Sequence, residues 1–212
     1  MHEPVAHLPE DIFPGAGGAA GGSINLPACA LLGRGEFTRA VPAWEQMRPM
    51  GEIRRVTIHH TGFPEGWWET DRRCTAEHLE AIRVFHTGKN PEQRGWADIG
   101  YHFAVDRAGR VWRLRPLAFE GAHVKNHNGN NAAIVLLGNF DIQRPAPRQI
   151  RSLAIFLDFL RLIYSLSPES FRTHRELADE PTTCPGQELQ RWMDRKKGRR
   201  SGIISPDHAG EP

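Results

Sequence analysis

The chain has 212 residues, 39% of them hydrophobic, and carries 27 Lys and Arg against 25 Asp and Glu for a net charge of +2. That length suits one domain with tails, and the composition is sufficient for a core. The near balance of charge gives no electrostatic footprint for nucleic acid, and no run of about 18 or more apolar residues is present to span a membrane. Three widely separated cysteines argue against a disulfide framework and leave room for one functional thiolate.

In chain order, residues 1–22 are rich in Gly, Ala and Pro and read as a flexible leader. They lack the basic region and apolar core of a secretory signal. LPACALLG (26–33) looks faintly like a lipid-attachment site at Cys29, but the GAGGAAGGS before it is not an apolar export segment. Residues 23–50 read as an irregular segment packed on the surface of a domain that spans 23–196.

EIRRVTIHH (52–60) reads as a strand. TAEHLEAIRVFHTG (75–88) places Leu79, Ile82, Val84 and Phe85 at roughly helical spacing, with Thr75 as N-cap and Gly88 as the stop. DIGYHFAVDRAGRVWRLR (98–115) predicts two strands joined by a turn at 106–109. AAIVLLGNF (132–140) is the continuous apolar run of a central strand covered on both faces. RQIRSLAIFLDFLRLIYSL (148–166) predicts an amphipathic helix, FRTH (171–174) a short strand and GQELQRWMDRKKG (186–198) a last helix. DRKKGRR (194–200) reads as a solvated basic run, and 197–212 as a disordered tail. Strands alternating with helices point to an α/β fold, a mixed sheet with helices packed on it.

Two adjacent histidines end the first long strand. Neighbouring strand residues face opposite sides, so His59 and His60 cannot enter one pocket by the same route. Downstream, THRELADEPTTCPG (173–186) carries His174 at a strand end and Cys184 at a helix start, where the helix dipole favours the thiolate. Two imidazoles and a thiolate suit Zn²⁺, and three protein ligands leave the fourth position open, as in a catalytic site. By spacing alone, a satisfied core histidine and an inert buried thiol serve equally well.

IHHTG, GWADIGYHFAVDRAGRVWRLR, GAHVKNHNGNNAAIVLLGNF and HREL…TTCPG occur in this order. Together they resemble the zinc-dependent N-acetylmuramoyl-L-alanine amidases, the group containing the peptidoglycan recognition proteins and amidase-type phage lysozymes. The likeness covers about residues 34 to 193, and LLGRGEF resembles the segment before the first strand of the recognition proteins.

The resemblance implies a central mixed sheet flanked by helices, with one catalytic Zn²⁺ on the floor of a groove held by His59, His174 and Cys184. It implies hydrolysis of the amide between N-acetylmuramic acid and the L-alanine of the stem peptide. Tyr101 matches the tyrosine beside the zinc in active members, where a phenol stabilises the oxyanion. Thr182 stands where the family has a polar or basic residue that assists there. The loop from His174 to Cys184 is about two residues longer than in the family and carries Glu176, Asp179 and Glu180. No carboxylate stands in the position of a general base.

The groove is expected to be lined by Gly95, Trp96, Arg115 and the segment 120–128. The Gly95–Trp96 pair matches recognition proteins that take diaminopimelate-type stem peptides. His123 is expected to hydrogen-bond sugar or peptide, and Lys125 to meet a stem carboxylate. Trp67 and Trp68 either form a sugar-stacking rim or cover the next helix. Peptidoglycan or muropeptides are the expected partners of a monomer. Such a substrate points to the periplasm or the cell exterior, while the sequence shows no export signal and leaves the localisation open. Two other readings have different signatures. A non-catalytic peptidoglycan-binding module typically lacks the thiolate, and a cytoplasmic muropeptide-recycling amidase usually has aspartate in its place.

Overall fold

The computed structural model describes residues 31–201, side chains at 199–201 excepted. The leader, Cys29 and residues 202–212 lie outside the described residues. Six strands form one sheet: β1 (Leu31–Leu32), β2 (Arg55–His60), β3 (Phe103–Val105), β4 (Val111–Arg113), β5 (Asn131–Leu136) and β6 (Phe171–Thr173). Their spatial order is β1-β4-β3-β5-β2-β6, with only β3 and β4 antiparallel. The sheet is therefore mixed. Among the described residues four α-helices accompany it: α1 (Arg72–Thr87), α2 (Pro147–Ile163), α3 (His174–Leu177) and α4 (Gln187–Ser201).

Every residue of β5 is buried. It lies between β2 and β3, so its Ala-Ala-Ile-Val-Leu run meets packed side chains on both faces. On one face, Val56, Ile58, Ile134 and Leu136 pack with Leu153, Phe156 and Leu160 of α2 and Leu189 and Met193 of α4. On the other, Ala104, Trp112 and Val135 meet Leu79 and Ile82 of α1, together with Phe37 and Ile99. The period-2 alternation of β2 thus commits Val56, Ile58 and His60 to the first face and Thr57 and His59 to the second.

Several local expectations shift. Asp71, not Thr75, caps α1: its carboxylate accepts from the Cys74 amide at 2.9 Å, and the Thr75 hydroxyl donates to the Asp71 carbonyl. The α1 core stripe is Leu79, Ile82 and His86, at i, i+3 and i+7, whereas Val84 and Phe85 are exposed. Gly88 ends the helix as expected. The whole basic run, 194–200, lies within α4, which continues to Ser201, beyond the expected helix end at 198. Lys197 is engaged by both carboxylate oxygens of Glu176, which ties α4 to α3. The segment before β2 is less irregular than expected. Leu31 and Leu32 pair with β4, and Arg34 forks onto Asp98 at 2.8 and 2.9 Å.

Candidate metal centre

β2 and β6 run parallel with Ile58 opposite Thr173. One step further on, the same register sets His59 beside His174, the first residue of α3. Their rings lie 4.7 Å apart. α3 then turns the chain away, and a loop returns it so that Cys184 Sγ stands 3.7 Å from His59 Nδ1. One ligand atom each of His59, His174 and Cys184 lies within 4.8 Å of the others.

The donors fit a zinc ion. With Zn–N near 2.1 Å and Zn–S near 2.3 Å, a tetrahedral N···S edge is about 3.6 Å. The observed 3.7 Å between His59 Nδ1 and Cys184 Sγ matches that edge. Burial, followed by the neighbouring His123 and His174, holds His59 well below the ordinary imidazole range, and burial lowers His174 as well. Neutral rings with free lone pairs are what a metal requires. The thiol behaves differently from the helix-dipole expectation. Burial pushes it up to about 12, and the opposing pull of the His60 amide and Arg175 is smaller. A bound cation would have to draw the proton off.

His60 points to the other face, where its Nδ1 accepts from the Phe140 amide and its ring lies 6.1 Å from that of Phe140. Its own backbone N–H donates to Cys184 Sγ at 3.4 Å. The two adjacent histidines thus serve the site by different atoms, one through its ring and one through its amide.

Tyr101 lies two residues before β3, outside the strand, with its ring 5.2 Å from His59. Burial and the nearby Cys184 raise its phenol, so it stays protonated at neutral pH. Thr182 Oγ1 accepts from the Cys184 amide at 3.2 Å, which leaves the hydroxyl proton free to donate elsewhere. Thr182 and His174 line a cavity of about 440 Å³ with Lys125, Asn126 and residues 178–181.

The expected substrate contacts do not all gather there. Lys125 does, although it faces Glu180 at 4.0 Å, both groups being exposed. The acidic loop is held over this cavity by Asp179, which accepts from Asn126 Nδ2 at 2.9 Å and lies 3.1 Å from His127 Nε2. Trp96 packs against His86, ring to ring at 4.7 Å, and His86 in turn lies 5.7 Å from Tyr101. Gly95 has φ +65°, a conformation that itself favours glycine. Arg115 is buried, donates to the Ile99 carbonyl at 3.3 Å and lines a separate cavity of about 270 Å³ with Arg34 and Arg113. His123 is buried with both ring nitrogens engaged inside the protein, on His59 at 3.0 Å and on the Asn131 carbonyl at 3.1 Å.

The two tryptophans divide their work. Trp67 stacks on His78 of α1, rings 3.8 Å apart and 13° from parallel, so it covers the helix. Trp68 is 60% exposed beneath the Arg107 guanidinium.

A sequence profile described as N-acetylmuramoyl-L-alanine amidase matches residues 49–187, more than half of the chain. An endolysin of Escherichia phage T7 is 32% identical over 124 residues, 56% of this chain and 76% of the phage protein. An N-acetylmuramoyl-L-alanine amidase of Sus scrofa is 31% identical over 134 residues, which are 62% of this chain and 21% of that protein. Among solved structures, tracheal cytotoxin bound to the ectodomain complex of peptidoglycan recognition proteins LCa and LCx matches with TM-score 0.68 at 27% identity, covering 78% of this chain and 95% of that one. Drosophila PGRP-LB shares the fold at TM-score 0.65 and 24% identity, covering 87% of this chain and 99% of that one. The profile match contains His59, Tyr101, His174 and Cys184. The chain belongs to the N-acetylmuramoyl-L-alanine amidase family.

Proposed function

We propose that the protein is a zinc-dependent N-acetylmuramoyl-L-alanine amidase that hydrolyses the bond between N-acetylmuramic acid and the first stem-peptide residue of peptidoglycan. The observation that carries this reading is the convergence of one ligand atom each of His59, His174 and Cys184, of which His174 also lines a cavity. A purely binding member has no need of a thiolate there. Zinc held by these three residues supplies a Lewis acid for the scissile carbonyl and an activated water.

The chain's own groups do the rest. The neutral rings of His59 and His174 and the sulfur of Cys184 provide the ligand atoms. Tyr101, kept protonated by burial, donates a hydrogen bond to the oxygen on which charge develops. The Thr182 hydroxyl, whose oxygen accepts from the Cys184 amide, keeps its proton to donate to the same oxygen. Lys125, which lines the cavity with His174 and Thr182, is the group for a stem carboxylate. Gly95, at φ +65°, sets the backbone course into Trp96.

Mass spectrometry of digested peptidoglycan tests the function. Free stem peptides and glycan chains with unsubstituted lactyl groups are expected, and a chelator should suppress both. Cleavage within the glycan or between peptide residues would contradict the reading, as would full activity in chelator.

Tyr101→Phe removes one hydrogen bond assigned to the transition state. It should lower kcat by roughly 10²-fold, on the scale of losing one oxyanion donor, with a smaller change in KM. An unchanged kcat would take Tyr101 out of the mechanism.

A further inference from the structure

His123 is a buried residue that the amidase chemistry above does not use. Its ring sits edge-on to His59, centroids 5.1 Å apart and planes at 87°. His59 Nε2 lies 3.0 Å from His123 Nδ1, and His123 Nε2 lies 3.1 Å from the carbonyl of Asn131, the first residue of β5. Heavy-atom positions at a histidine pair usually leave the proton direction open. Here they do not, because a carbonyl accepts and never donates. A neutral His123 has one ring proton, and the Asn131 oxygen requires it at Nε2. Nδ1 is then an acceptor, so the His59 proton must reside on Nε2. That leaves His59 Nδ1 unprotonated, and Nδ1 is the atom facing Cys184 Sγ.

His123 is built into this position. Its amide and that of Val124 both donate to Asn128 Oδ1, at 2.9 and 3.0 Å, which fixes the loop. A Cβ on Gly121 would come within 2.5 Å of His123 Cδ2 and 2.8 Å of the Gly100 carbonyl, so the ring occupies space that only glycine leaves. The Asn131 side chain is pinned as well, accepting from the Thr57 hydroxyl and donating to the His127 carbonyl.

We infer that His123 is a positioning residue for the metal centre: a relay from the Asn131 carbonyl through His123 locks His59 in the tautomer and orientation that present Nδ1 to the ion. The inference rests on the zinc reading above and adds a role for a residue outside the ligand set. Partners of this kind typically govern metal affinity by 10- to 100-fold.

Two readouts test it. The first needs neither metal nor mutation. Long-range proton–nitrogen correlation spectra of the metal-free protein should show both His59 and His123 protonated at Nε2 and bare at Nδ1. A proton on His59 Nδ1 overturns the relay. The second is zinc affinity by competition with a chromophoric chelator. His123→Leu should bind zinc at least 10-fold more weakly. His123→Asn, whose Oδ1 branches from Cγ as Nδ1 does, should stay within a few-fold of the wild type. Equal affinity in His123→Leu, or an Asn variant as weak as Leu, overturns the relay alone. A wild-type protein that takes up no zinc overturns the metal reading together with it. Melting curves in chelator separate a folding loss in His123→Leu from an affinity loss, and the tautomer spectra decide the matter if that variant does not fold.

Discussion

Cys184→Ala is expected to reduce muropeptide turnover by three or more powers of ten, equivalent to about 4 kcal/mol of transition-state stabilisation. The sulfur is the only thiolate donor of the three-residue cluster, and the other two ligand atoms belong to neutral rings. Without it the site keeps two imidazoles and no charge compensation for a divalent ion. The side chain's hydrogen-bond contacts among the described residues are with the His60 amide and His59 Nδ1, and Ala is small enough to leave the surrounding chain in place. Binding of a muropeptide, read by calorimetry, should therefore survive in part while release of stem peptide stops. Turnover equal to that of the wild type would remove the sulfur from the chemistry. Loss of binding and turnover together would assign Cys184 to holding the groove instead.

Asp98→Ala carries the largest expected cost in stability. The Asp98 carboxylate is 1% exposed and receives both terminal nitrogens of Arg34. The same guanidinium donates to the carbonyls of Leu114 and Ala40, at 2.7 and 3.2 Å. Those bonds clamp the segment after β1 onto the end of β4. Removing the carboxylate leaves a part-buried cation without its partner, at a cost of about 3–5 kcal/mol. For a chain of this size that corresponds to a fall in Tm of roughly 10 °C. Arg34→Lys should lie between the wild type and Asp98→Ala, since an ammonium cannot fork onto both carboxylate oxygens. Melting curves that coincide within about 1 °C for all three would show that the clamp contributes nothing, as many exposed ion pairs do.

The elements that carry the site are the ones most legible in the chain. β5 reads as a central strand because both its faces are covered, which demands an unbroken apolar run. The opposite orientations of His59 and His60 follow from strand geometry alone, and the structure shows what each faces. Helix ends are less legible. Thr75 and Asp71 are both good caps, and only the backbone course into α1 selects Asp71. Val84 and Phe85 look like core by hydrophobicity, yet His86 takes the inward position because it receives the Gly100 amide.

What the sequence conceals is contact across long separations. His59 and His123 are 64 residues apart, and nothing in GAHV signals that both nitrogens of its histidine are consumed internally. The register of β2 against β6, which places His174 beside His59, is a property of the sheet and not of either segment. The helix dipole at Cys184 is readable, but the burial that outweighs it depends on the whole packed site.

X-ray absorption at the zinc edge, on protein loaded with one equivalent of zinc, tests the ligand set most directly. The expected first shell holds one sulfur at about 2.3 Å and two imidazole nitrogens at about 2.0–2.1 Å, plus one lighter oxygen or nitrogen. A shell of nitrogen and oxygen alone, with no sulfur, would contradict the proposed centre.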